Sequence, residues 1–88
     1  MDSTEAPEIT LKRLRIRSWR RGMKEMDIIL GGFADTRLAA LSPERIARYE
    51  LLLEENDQDL FLWVTGRAPV PEAHAGIVAE IREGMGPK

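Results

Sequence analysis

Apolar residues in this chain recur at helical spacing in five short segments, and no stretch alternates apolar and polar residues over the length of a strand. Turn chemistry separates the five. Ser42-Pro43-Glu44 is a helix start, with a serine cap followed by proline at the first helical position. Asn56 or Asp57 can cap the next helix, Gly66 can close it, and Pro69-Val70-Pro71 forbids helix before the last segment. Eighty-eight residues support one core, because a chain of this length buries only about 60 to 65 percent of its unfolded surface. The pattern therefore predicts an all-α, single-domain five-helix bundle over residues 9–84, with residues 1–8 as a disordered tail and 85–88 as a frayed end.

The first helix is expected from about Ile9 to Arg21, with Ile9, Ile16, Trp19 and Met23 along one edge and Gly22 as a left-handed cap. The second runs from about Glu25 to Leu41, with Met26, Ile29, Leu30, Phe33, Arg37 and Leu38 at helical spacing. Gly31 and Gly32 interrupt it, each costing roughly 0.8 to 1 kcal/mol against alanine, and mark either a close helix contact or a break. The third helix carries Ile46, Tyr49, Leu52 and Leu53, the fourth Leu60, Phe61, Trp63 and Val64, and the fifth, from about Glu72 to Glu83, Ala73, Ile77, Val78 and Ile81.

Charge is unevenly spread. Seven of the thirteen lysines and arginines lie between Lys12 and Lys24, no acid falls between Ile9 and Lys24, and the run turns acidic at Glu25 and Asp27. Cations at one helix end and acids at the next helix start complement helix dipoles, but arginine also fills the body of the first helix, where a dipole argument does not require it. A solvated cationic face of this kind suits an acidic protein surface, a nucleic acid or anionic lipid.

Enzyme chemistry lacks its parts. There is no cysteine, His74 is the only histidine and is expected in solvent, and no serine sits in a nucleophile turn. The acidic run Glu54 to Asp59 lacks the glycine and final glutamate of a calcium loop, so it reads as capping and solvation. Trp19 and Trp63 read as packing residues rather than ligand platforms. No apolar run approaches the roughly 20 residues needed to cross a bilayer, and the acidic first residues are unlike a secretory or transit signal, so a cytoplasmic location is the expectation.

Arg21-Gly22-Met23-Lys24-Glu25-Met26-Asp27, at the junction of the first two helices, resembles the Arg-Gly-Met-x-Glu-x-Asp hallmark of the SdhE-type FAD assembly factors, whose mitochondrial counterparts assist succinate dehydrogenase. Phe33-Ala34, Leu52-Leu53-Glu54 and Asp57-Gln58-Asp59-Leu60-Phe61-Leu62-Trp63 are similar to further family segments in the same order. The resemblance implies a five-helix factor, without a cofactor or metal of its own, that binds the flavoprotein subunit of succinate dehydrogenase or fumarate reductase. The factor then promotes covalent attachment of FAD to that client. It also implies that Arg21 and Glu25 make charged hydrogen bonds to the client, that Gly22 admits close backbone contact, and that Met23 and Asp27 complete the corner. Charge alone extends the set to Arg17, Arg20 and Lys24 as steering residues. The partner is then a protein bound by a monomer, with no nucleic acid and no membrane insertion. The rival readings are a small basic nucleic-acid module and a homodimeric adaptor.

Overall fold

The computed structural model describes residues 6–85, and among them every regular element is helical. The helices are α1 (Pro7–Trp19), α2 (Lys24–Thr36), α3 (Pro43–Leu52), α4 (Asp57–Val64) and α5 (Glu72–Gly84), with one 3-10 turn at Leu38–Ala40. The expected all-α, five-helix architecture is thus the observed one. Of the expected tail, Pro7 and Glu8 instead open α1, with proline at the first helical position; Met1–Glu5 and Gly86–Lys88 lie outside the described residues.

α2 is the hub. It packs against α1 on one side and against α4 and α5 on the other, while α3 lies on α5. Its inner face supplies Met26, Leu30, Phe33 and Ala34 to a core completed by Leu14, Leu38, Tyr49, Leu52, Leu60 and Ile81. Leu14, Met26, Leu30, Tyr49, Leu52 and Leu60 have no exposed surface at all. Phe33 and Tyr49 meet ring to ring at 5.3 Å.

The caps explain where the helices begin. Ser42 Oγ accepts from the Arg45 N–H at 3.2 Å, and Asn56 Oδ1 accepts from the Asp59 N–H at 2.9 Å, which satisfies donors that the first helical turn leaves unpaired. The left-handed cap follows α4, not α1: Gly66 has φ 75°, while Gly22 does not have a positive φ. α1 ends two residues earlier than expected, and Arg20 to Met23 form a non-helical corner.

Gly31 and Gly32 do not break α2. Gly31 is buried, and a Cβ there would overlap the six-membered ring of Trp19, so glycine lets the indole lie flat against the α2 backbone. The Trp19 Nε1–H donates to Asp35 at 3.2 Å, and the other side of the ring stays exposed. The apolar edge of α1 thus faces outward, with Ile9 57%, Ile16 46% and Trp19 45% exposed. Leu14 and Ser18 turn inward instead. His74 corrects a second expectation. It shares the stripe of Ile77, Val78 and Ile81, is buried against Trp63 at 5.6 Å, and its Nε2 lies 2.9 Å from a Glu55 carboxylate oxygen.

One polar group sits in the middle of the core. The Ser18 and Tyr49 hydroxyls are 2.6 Å apart, Ser18 Oγ donates to the Leu14 carbonyl at 2.7 Å, and Tyr49 Oη reaches the Leu30 carbonyl at 3.3 Å. Burial pushes the phenol up to about 12, against smaller opposing effects of Ser18, Arg21 and Arg17. An acid whose folded value is raised stays protonated while the unfolded chain ionises. Stability is therefore unaffected below pH 10 and falls between about 10 and 12, by on the order of 2 to 3 kcal/mol. Because Tyr49 is the only tyrosine, phenolate absorbance in an alkaline titration is expected to rise together with loss of helical circular dichroism rather than ahead of it. Tyr49→Phe should extend the folded range upward in pH.

Candidate docking corner and its clamp

Asp57, the first residue of α4, holds the corner between α1 and α2. One carboxylate oxygen accepts from Arg21 Nε at 2.7 Å; the other accepts from the backbone N–H groups of Gly22 at 2.7 Å and Met23 at 2.9 Å. Desolvation pushes this carboxyl up, but the hydrogen bonds from Arg21, Met23 and Gly22, with the guanidinium charge, outweigh it and hold it below its ordinary 3.8. The same carboxylate serves the start of two helices, α2 through the Gly22 and Met23 N–H groups and α4 by position, where helix dipoles favour negative charge.

Arg21 spends its other donors on the connection from α3 to α4. Nη1 donates to the carbonyl of Leu53, the C-cap of α3, at 2.9 Å, and Nη2 to the carbonyl of Glu55, in the turn before α4, at 2.8 Å. Its backbone N–H donates to Asp27 Oδ1. The side chain is only 11% exposed. The expectation of an outward-pointing Arg21 is therefore corrected: an ion pair with Asp57 and two carbonyls turn it inward, where it shapes the corner. Asp27 is likewise engaged inside the corner.

The remaining predicted residues fall into two groups. Gly22, Lys24, Glu25 and Arg20 are exposed, and the side chains of Lys24, Glu25 and Arg20 make no hydrogen bond or ion pair among the described residues. Met23 is half-buried against the core. Arg17 is tied to Glu54 at 3.1 Å. Beside the corner lies a shallow depression of about 480 Å3 lined by Gly22, Met23, Asn56, Asp57 and Gln58.

Arg17 and Arg21 belong to a ladder. Arg13 pairs with Glu50 at 2.8 Å, Arg17 with Glu54 and Arg21 with Asp57, so α1 runs alongside α3 and the following loop with cations facing acids at matching intervals. Sequence reasoning named Asp57 as a cap and as part of a family-like segment but missed its role as the clamp, and missed this ladder. The signal was present in the spacing of Arg13, Arg17 and Arg21 against Glu50, Glu54 and Asp57, but reading the acidic run as solvated capping hid it. Among the described residues no group of three histidine or acidic side chains is placed to hold a metal, and no helix is long and apolar enough to cross a membrane.

Residues 12–85 match the family described as the flavinator of succinate dehydrogenase, Sdh5. The chain belongs to this family. Among similar proteins, succinate dehydrogenase assembly factor 2, mitochondrial, of Danio rerio is 38% identical over 79 residues, 88% of this chain and 50% of that protein. The corresponding factor of Dictyostelium discoideum is 41% identical over 61 residues, 69% of this chain and 43% of that protein. The FAD assembly factor SdhE of Acetobacter pasteurianus is 38% identical over 64 residues, 73% of this chain and 59% of that protein. The chain spans about half the length of these curated relatives. Family membership gives no support to the nucleic-acid module or the homodimeric adaptor, and the ladder removes much of the cationic face on which the former rested.

Removing the Asp57 charge leaves Arg21 half-buried and unpaired, so Asp57→Asn is expected to cost about 3 kcal/mol at neutral pH, measured by denaturant unfolding. A carboxyl whose folded value is lowered contributes stability above the unfolded value and loses it as pH falls through the folded one. Wild-type stability should therefore decline from about pH 5 downward, and the decline should be shallower in Asp57→Asn.

Proposed function

We propose that this chain binds the flavoprotein subunit of succinate dehydrogenase, or of the related fumarate reductase, and promotes covalent attachment of FAD to it. The observation that carries the proposal is the corner itself: Asp57 fixes the Gly22–Met23 backbone from behind, leaving Gly22 open and Glu25 exposed beside it. The relatives, named as assembly factors of succinate dehydrogenase and of FAD, support the same client class. The bond to be formed joins a histidine of the client to the flavin's 8α carbon, and its proton and electron changes are carried by the client and its flavin rather than by this chain. The factor contributes positioning, holding the client's mobile capping domain against its flavin domain in an orientation that favours bond formation, rather than a catalytic group.

Roles within the corner follow from the contacts. Glu25 accepts hydrogen bonds from the client, and Gly22 allows the client to approach the backbone. Arg21 and Asp27 act indirectly, by fixing the corner's shape. Met23 supports it from the core side, and Arg20 and Lys24, with the partly exposed Arg17, steer association toward an acidic client. The factor acts as a monomer in the compartment where the flavoprotein folds, the cytoplasm in a bacterial setting, without holding FAD as a resident cofactor.

Coexpression with the flavoprotein subunit tests the proposal through covalently bound flavin, read by in-gel fluorescence. Glu25→Ala is expected to lower the yield at least severalfold while moving the unfolding midpoint little, because the side chain makes no hydrogen bond or ion pair among the described residues and its place in the first turn of α2 adds only about 0.3 to 1 kcal/mol. Gly22→Leu should do the same: a Cβ at Gly22 would meet Asp57 at an ordinary 3.5 Å, so the fold tolerates the side chain that the client would not. Equal flavin yields with both variants would overturn the assignment of this corner.

A further inference from the structure

Seven large apolar side chains are exposed among the described residues, and five of them, Ile9, Ile16, Trp19, Ile28 and Met85, lie on α1, α2 and the end of α5. They trace a belt along one edge of α1 and across α2 to the end of α5. Ile9, Ile16 and Trp19 are separated by seven and three residues, which aligns them along about 15 Å of one helix face. The Trp19 indole rests on Gly31, and Ile28 stands one turn before Gly31 on α2. Ile28 and Met85 in turn line a groove of about 440 Å3 between α2 and α5, whose walls include the buried Phe33 and Ile81. Scattered exposed apolar residues need no explanation, but a belt of them that ends in a groove marks an interaction surface.

Charge along the belt is one-sided on α1. Lys12, Arg15 and Arg20 are exposed and have no hydrogen bond or ion pair among the described residues, in contrast to the arginines of the ladder on the opposite edge. Arg15, Ile16, Trp19, Arg20 and Asp35 together outline a second depression of about 250 Å3. Lys24 and Glu25, at the start of α2, join the belt to the corner.

We propose that this belt is a second, larger part of the docking surface, and that its occupant is a protein surface on the same flavoprotein client: an apolar ridge bordered by carboxylates. The inference rests on the proposed function and widens it from a corner to a face. A protein fits better than a lipid surface because the groove is concave and receives a projecting side chain, whereas a bilayer needs groups that project into it. A second copy fits less well, because a two-fold contact would bring the cations of two α1 helices together. Trp19 is held flat between Gly31 and Asp35 before any partner arrives, so binding orders little that is not already ordered. Aromatic and arginine side chains at such positions carry a large share of binding energy.

The test is titration of the full chain against the flavoprotein subunit prepared without covalent flavin, for wild type, Glu25→Ala, Ile28→Glu and the double variant Arg15→Glu/Arg20→Glu. All the altered side chains are exposed, and circular dichroism confirms that each variant folds. Both belt variants are expected to weaken binding at least tenfold, and the double variant should also slow association and reduce its salt dependence. If both bind like wild type while Glu25→Ala is weakened, the belt is overturned and the corner stands. If wild type itself does not bind, the proposed function falls first. Two parallel measurements identify the competing occupants. Cosedimentation with phosphatidylserine vesicles that is lost in the belt variants, with flavoprotein affinity unchanged, would assign the belt to lipid. A wild-type dimer in sedimentation that Ile28→Glu dissociates would assign it to a second copy. Either result would overturn the proposal.

Discussion

The contact between Arg21 and Asp57 ties together every element that meets at the corner. A single carboxylate receives a guanidinium and two backbone N–H groups, and the guanidinium passes two further hydrogen bonds to the carbonyls of Leu53 and Glu55, between α3 and α4. Each group alone would be costly in a half-buried position; joined, they satisfy one another. The result is a bend whose inner side is fully bonded and whose outer side presents backbone, Lys24 and Glu25. Rigidity within and openness without have one cause.

α1 is a two-sided helix: one side serves stability, and the other carries side chains proposed for recognition. The edge toward α3 carries the ion-pair ladder of Arg13, Arg17 and Arg21, and behind it Leu14 and Ser18 enter the core. The opposite edge keeps Lys12, Arg15 and Arg20 unpaired among apolar residues. Paired arginines on a half-exposed surface add modestly to stability; unpaired ones beside Trp19 add nothing that folding needs. The arginine content of the helix therefore divides between two purposes, which the count alone does not reveal.

Much of the architecture was legible because it rests on local chemistry. Ser42 and Asn56 cap the helices they were expected to cap, proline keeps Ala68 to Pro71 out of helix, and the apolar stripes of α2 through α5 meet in one core. What was not legible depends on contacts between distant residues. Gly22 suggested a left-handed cap, yet the bend is held by Asp57 and needs no positive φ. Trp19 suggested a packing residue, core or half-buried, and Gly31 is what seats it flat at the surface. His74 suggested solvent, although its spacing with Ile77, Val78 and Ile81 placed it on the buried stripe, and Glu55 supplies the polar partner that burial requires. The residues proposed for docking divide the same way: exposure of Glu25 and Lys24 follows from helix position, whereas the inward turn of Arg21 follows from an acid on another helix.

That acid lies 36 residues downstream of the arginine it holds. During synthesis or refolding, Arg20 to Met23 can emerge and α1 and α2 can form, but the bend has no template until α4 arrives and Asp57 reaches it. A nascent or partly melted molecule carries the right residues in the wrong arrangement, and the corner proposed for docking takes its shape only once the start of α4 has reached it.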